Sequence, residues 1–129
     1  MPLTYLSDEW FTAASDAFAD LPERPGANAT IQRVITGTPD GDLAYHLTLQ
    51  DGRIVGVERG TDEAAQATLT LPYKDALRVE HGEYSLNVAY MQGRLKVAGS
   101  TGAVLTYLPV TVTPEYEAAQ ERLGADLDG

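Results

Sequence analysis

Leu43, Tyr45, Leu47 and Leu49 alternate with Ala44, His46, Thr48 and Gln50, and Asp51-Gly52 follows at once. A period of two with one apolar face is the pattern of a half-buried strand. Asp-Gly suits a tight hairpin turn, whose central residues need positive φ. Arg53 to Arg59 then pairs back, with Val55 and Val57 expected on one face. A chain with such a hairpin is committed to an antiparallel sheet. Its remaining segments must cover that sheet's apolar face.

Two further strands flank the hairpin. Thr30 to Thr36 is rich in β-branched residues, and Pro39-Asp40-Gly41 supplies the turn into Leu43. Gln66 to Leu71 places Ala67, Leu69 and Leu71 inward and Thr68 and Thr70 outward. Read in order, these segments predict an antiparallel meander of four strands. A fifth strand is expected over Arg94–Ala98, bracketed by Gly93 and Gly99, with Leu95 and Val97 on its buried face.

Helices account for the rest. Ser7 is a capping residue, and Asp8 and Glu9 favour a first turn. Trp10, Phe11, Ala14, Phe18 and Leu21 follow, mostly three and four apart, until Pro22 and Pro25. Pro72 suits a first helical position, Ala76, Leu77 and Val79 form a buried side, and His81-Gly82 a helix end. Ser85 can cap a short helix reaching Met91. Ser100 can cap one carrying Val104, Leu105 and Leu108, which Pro109 is expected to stop, leaving 110–113 extended. Thr113-Pro114-Glu115 starts a last helix, with Tyr116, Ala119 and Leu123 on one side and residues 124–129 expected to fray. The fold class is therefore α+β: one mostly antiparallel five-stranded sheet with helices packed on one face. Residues 1–129 are read as a single domain with residues 120–129 a partly frayed tail.

Charge and composition narrow the function. A formal net charge of −10 repels nucleic acid and anionic lipid surfaces, so no nucleic-acid partner is expected. There is no cysteine, which excludes disulfides, thiolate metal sites and a thiol nucleophile. No run approaches the ~20 apolar residues that span a bilayer, so no stable membrane anchoring is expected. Met1-Pro2-Leu3-Thr4 lacks the basic and apolar regions of a secretory leader, and a cytoplasmic protein is the default. His46 and His81 stand far apart with no ligand-pair spacing, and no nucleophile elbow, P-loop or dinucleotide fingerprint occurs. No catalytic residue, metal or cofactor is singled out.

Tyr90-Met91-Gln92-Gly93-Arg94-Leu95-Lys96-Val97, then Gly99, Gly102 and the apolar run to Leu108, carry a resemblance. This stretch resembles the signature of the sterol carrier protein 2 family of lipid-transfer domains, and the likeness extends over roughly residues 30–108. It implies a fifth strand inserted beside an earlier one and a hydrophobic tunnel between sheet and helices. It also implies that Gln92, like the family's equivalent Gln, faces that cavity. The residues expected to line a ligand are Trp10 and Phe18 from the first helix, Tyr45 and Leu69 from the sheet, and Leu77 from the second helix. Tyr90, Met91 and Gln92 join them from the signature, and Val104, Leu105 and Leu108 from the helix after it. The chain is rich in tyrosine, seven against two phenylalanines, and a buried phenol needs a partner. A backbone carbonyl is the commoner partner and a ligand oxygen the other.

The expected activity is non-catalytic binding of a sterol, fatty acid or fatty acyl thioester. The alternatives are a structural or accessory domain with a filled core, or an enzyme accessory or isomerase-type protein acting on a hydrophobic substrate. A protein partner is compatible with all three.

Overall fold

The computed structural model describes residues 3–125 together with 127 and 128. A short strand β1 (Leu3–Thr4) leads into helix α1 (Asp8–Phe18), capped by Ser7, whose hydroxyl accepts from the Trp10 N–H. Strands β2 (Ala29–Thr38), β3 (Gly41–Gln50) and β4 (Arg53–Arg59) follow, then β5 (Ala67–Pro72) and helix α2 (Tyr73–Glu80). Helix α3 (Leu86–Met91), strand β6 (Lys96–Gly99), helices α4 (Thr101–Thr111) and α5 (Pro114–Gly124) and strand β7 (Leu127–Asp128) complete the chain. Ser85, Ser100 and Thr113 each accept a backbone N–H at the start of their helices, as their positions predict.

The main sheet has the order β4-β3-β2-β5-β6. It is mixed: β2–β3, β3–β4 and β5–β6 are antiparallel, and β2–β5 is parallel. The expected four-strand meander is thus corrected to three. After β4 the chain crosses back over the sheet, and β5 pairs with β2 instead of the edge strand β4. The choice is between two free edges, and nothing local to Gln66–Leu71 encodes it. The signature strand β6 then adds beside β5 at the far edge. Helices α1, α2 and α4 pack on the sheet, and α5 lies across α1, α2 and α4. A second, two-stranded parallel pair joins β1 to β7, with Leu3 opposite Leu127. The tail expected to fray is therefore helical to Gly124 and paired at 127–128; residues 126 and 129 lie outside the described residues.

Two local expectations are overturned. Val55 and Val57 do not share a face: Val55 is 57% exposed, while Ile54 and Val57 are buried. Thr48 faces Gly56 and Leu49 faces Ile54, so Val55 is the extra residue of a β-bulge that resets the alternation. The free backbone of this edge strand is bound by α1: Ser15 Oγ donates to the Val57 carbonyl and accepts from its N–H, at 3.2 and 3.1 Å. Nor does Pro109 end its helix; α4 runs to Thr111, so 110–113 is not an extended segment. Pro109 and Leu105, four residues apart, both face solvent, so water can take the Leu105 carbonyl that the proline leaves without its N–H. Beyond it, Val110 and Thr111 are buried and hold the last turn in place.

Asp51 and Gly52 both adopt positive φ, +49° and +85°, as a tight hairpin turn between β3 and β4 requires. A Cβ on Gly52 would also stand 2.6 Å from the Arg24 Cβ. Gly52→Val should lower stability by about 1–3 kcal/mol, read as a shifted urea midpoint at constant slope. An unchanged midpoint would mean that the turn tolerates a side chain there.

Candidate functional site

The central strand β2 turns Ala29, Ile31, Arg33 and Ile35 inward. Arg33 occupies a position where an aliphatic residue would fit the pattern, and it is only 3% exposed. Its cross-strand neighbours are Tyr45 on β3 and Leu69 on β5, and its guanidinium carbon lies 5.5 Å from the centre of the Tyr45 ring. Its Nε and Nη2 are buried and make no hydrogen bond. Glu80, the last residue of α2, is 5% exposed. Gln120 on α5 donates through Nε2 to Glu80 Oε2 and to the Val79 carbonyl, both at 3.1 Å. The indole Nε1 of Trp10 is likewise buried without a hydrogen-bond partner, and the buried hydroxyls of Tyr5 and Tyr107 lie beside those of Tyr45 and Tyr116.

These groups meet around a cavity of about 10 Å³, bounded by Trp10, Phe18, Arg33, Tyr45, Glu80, Tyr107 and Tyr116 among others. Its electrostatics follow from burial. Desolvation raises the Glu80 carboxyl to about 7, although Arg33 and the Gln120 hydrogen bond pull the other way. Desolvation also works against the Arg33 charge, but the fields of Tyr45, Tyr107, Tyr5 and Glu80 override it and its pKa rises. The phenols of Tyr5, Tyr45 and Tyr116 are all pushed up, chiefly by burial. An aromatic wall lines it: Trp10 meets Tyr5 and Tyr45 edge-on, with ring centres 4.9 and 5.8 Å apart, and Phe18 stacks on Tyr116 at 4.6 Å.

The larger space is an open cleft of about 870 Å³ between the end of α2, α3, the end of α4 and α5. Val79, Leu86, Val88, Val112 and Tyr116 give it apolar walls, and Glu80, Gln120 and Glu121 polar ones. Glu80 and Tyr116 border both spaces, so they form the partition between cleft and interior. Among the described residues, the region between sheet and helices holds the small cavity, and the larger open volume lies among the helices.

The residues expected to line a ligand fall into three groups. Trp10, Phe18 and Tyr45 border the inner cavity. Leu69, Val104 and Leu108 are buried in the surrounding core, with Leu77 and Tyr90 packed at its margin. Met91 and Leu105 are 71% and 58% exposed, and Gln92 is exposed too. None of these residues borders the cleft. Gln92 closes α3 as its C-cap, and its Oε1 accepts from the Tyr84 hydroxyl at 2.6 Å. Arg94 of the signature has a structural contact: its Nε and Nη2 donate to Oδ2 of the buried Asp75 at 3.1 and 2.8 Å, which ties the strand to α2.

Sequence reasoning missed Arg33, Glu80, Tyr107, Tyr116 and Gln120 as site residues. A signal existed for two of them. Arg33 shares its parity with Ile31 and Ile35, and Glu80 follows Ala76 by one helical turn on the buried side. A carboxylate there also sits in the last turn of a helix, where the dipole disfavours it. Among the described residues no cluster of His, Asp and Glu is arranged to hold a metal ion.

Comparison with known proteins is consistent across sequence and structure. The model of the SCP-2 sterol transfer family matches residues 10–110. A conserved hypothetical protein from Thermus thermophilus superposes with a TM-score of 0.68 at 17% identity, over 95% of this chain and 90% of that one. A sterol carrier protein 2 crystal structure gives 0.66 at 19% identity, over 96% and 99%. Palmitated SCP2L2 from Aedes aegypti gives 0.61 at 16% identity, over 82% and 90%. No curated protein sequence matches the chain.

Proposed function

This chain belongs to the SCP-2 sterol transfer family, and we propose that it is a non-catalytic cytoplasmic carrier of a hydrophobic small molecule. The observation that carries this reading is the cleft of about 870 Å³, which shares Glu80 and Tyr116 as walls with the aromatic interior. Ligand sites are concave, mostly apolar and about 300–1,000 Å³, with a few placed polar groups. The family supports a sterol and the palmitated relative from Aedes aegypti a fatty acid as cargo, and an acyl thioester presents the same apolar chain. On this reading the inner end of the ligand lies against Trp10, Phe18 and Tyr45, with Leu69, Leu77, Val104 and Leu108 behind them, and the rest of it occupies the cleft. No helix among the described residues is long and apolar enough to cross a membrane, so exchange with a bilayer requires a transient encounter.

One observation favours a second reading, a structural domain with a filled core: the interior cavity is only about 10 Å³. A lipid screen separates the two. At free ligand about 100 times the dissociation constant, binding to the folded state adds about 2.7 kcal/mol. For a domain of this size that raises the melting temperature by several degrees. We expect such a shift with at least one sterol, fatty acid or acyl thioester on delipidated protein, and none with nucleotides. A flat response across the lipid panel would decide for the filled domain.

A further inference from the structure

We propose that the head group this interior is built to hold is a carboxylate, bound by the unpaired edge of Arg33 after passing between Glu80 and Tyr116. The proposal rests on the carrier reading above and names the end of the ligand that enters first.

The donor set points to an acceptor-only group. Every nitrogen left unpaired around the cavity is a donor: Arg33 Nε and Nη2, and Trp10 Nε1. The Tyr107 hydroxyl beside them has a proton to donate as well. A carboxylate offers two oxygens and no hydrogen, whereas an alcohol offers one oxygen and brings a donor of its own. The Arg33 edge is also the right shape. Nε–H and Nη2–H form a fork on one side of the guanidinium, which suits two carboxylate oxygens. The chain sets that same edge against a carboxylate elsewhere, where Arg94 Nε and Nη2 both donate to Oδ2 of the buried Asp75.

The position explains the route. Arg33 lies at the centre of the sheet, walled by Tyr45 and Trp10, and the partition between it and the cleft is Glu80 with Tyr116. A cavity of about 10 Å³ is about the volume needed for one water. Entry of a carboxylate therefore displaces the Tyr116 side chain toward the cleft, while Glu80 stays held by Gln120 and the ligand's chain trails between α2 and α5.

The exchange is coupled to a proton. Two carboxylates facing one guanidinium repel unless one is protonated. The groups around Glu80 are Arg33 from β2, Tyr45 from β3, Tyr107 from α4, Tyr116 and Gln120 from α5, and Tyr5 from the segment before α1, with His81, Glu117 and Glu121 on its cleft side. Arg33 is held charged, Gln120 does not titrate, and Tyr5, Tyr45 and Tyr116 are pushed further from neutrality. Glu80, at about 7, is the group that takes the proton. Carboxylate uptake should thus weaken as pH rises above that value, approaching about tenfold per pH unit. Binding of a neutral ligand should not follow this slope.

The chain's single tryptophan borders the cavity, so its emission reports occupancy. We would titrate the full chain with laurate, below its micelle concentration, and with 1-dodecanol from pH 6 to 9. Laurate should bind about tenfold or more tighter than dodecanol at pH 6, with the gap closing at high pH. Glu80→Gln should make laurate affinity flat with pH, and Arg33→Met should bring the two ligands to equal affinity. If Arg33→Met fails to fold, the Glu80→Gln profile carries the test alone. Equal affinities in the wild type, or a Glu80→Gln profile that tracks the wild type, would overturn the carboxylate assignment and leave the carrier reading standing. Binding of neither ligand, together with a flat lipid screen, would overturn both.

Discussion

Gly99→Val should lower the protein's stability by about 2–6 kcal/mol, the sum of a forced positive φ and overpacking. Gly99 ends β6 at φ +95°, and a Cβ built there would stand 2.6 Å from the Gln66 carbonyl oxygen and 3.0 Å from the Ala67 Cα. Both are backbone atoms and cannot swing aside. The same Gln66 carbonyl accepts the Ser100 N–H at 2.8 Å, and Ser100 caps α4, so a shift at Gly99 disturbs strand and helix together. Gly93, before the strand, is the matched control. Its φ is +74°, but nothing lies within 4 Å of its Cβ direction. Gly93→Val should therefore lose only the conformational cost, about 1–3 kcal/mol. Urea midpoints of the two variants measure the difference, and equal losses would show that the Gln66 contact has no weight.

Glu80→Gln should change how stability depends on pH. The Glu80 carboxyl titrates at about 7 in the folded protein against an ordinary 4.5. Below about 4.5 it is protonated in both states and imposes no penalty. As pH rises from there the unfolded chain ionises first, so the folded state loses ground until the folded value is passed. The separation corresponds to about 3 kcal/mol, present below the unfolded pKa and lost by about pH 7. Other carboxylates titrate in the same window, so the quantity to read is the difference between wild type and variant. Wild type should lose about 3 kcal/mol relative to Glu80→Gln between about pH 4.5 and pH 7. The absolute offset also includes the lost attraction to Arg33, but that does not alter the sign of the slope. Parallel stability curves would place the Glu80 carboxyl in water.

Where the fold was legible in the sequence, the reason is local. Alternation over Leu43–Gln50, the Asp51-Gly52 turn and the caps at Ser7, Ser85, Ser100 and Thr113 are decided within a few residues, and each is found as read. The misreadings are non-local. A single extra residue at Val55 reversed the parity of β4. The pairing of β5 with β2 depended on which sheet edge the crossing chain reached. Pro109 was tolerated because solvent lies on its side of α4. The site was the least legible part. Aromatic and aliphatic positions point inward whether a core is hollow or filled. The informative residues were the charged ones in apolar register, Arg33 and Glu80, and only the assembled fold brings them to one cavity.

The β1–β7 pair bears on the order in which the chain folds. The β2–β3–β4 meander closes through short turns, so its loops cost little entropy. Leu3 and Leu127 meet across almost the full length of the chain, and among the described residues two on each side reward that closure. This clasp is the last contact to become worth making and the first to be given up when the molecule loosens. Helix α5, which contributes Tyr116 and Gln120 to the wall of the cleft, runs directly into it. The wall that separates the cleft from Arg33 thus adjoins the longest-range closure in the chain, whereas the strand that holds Arg33 lies at the centre of the sheet.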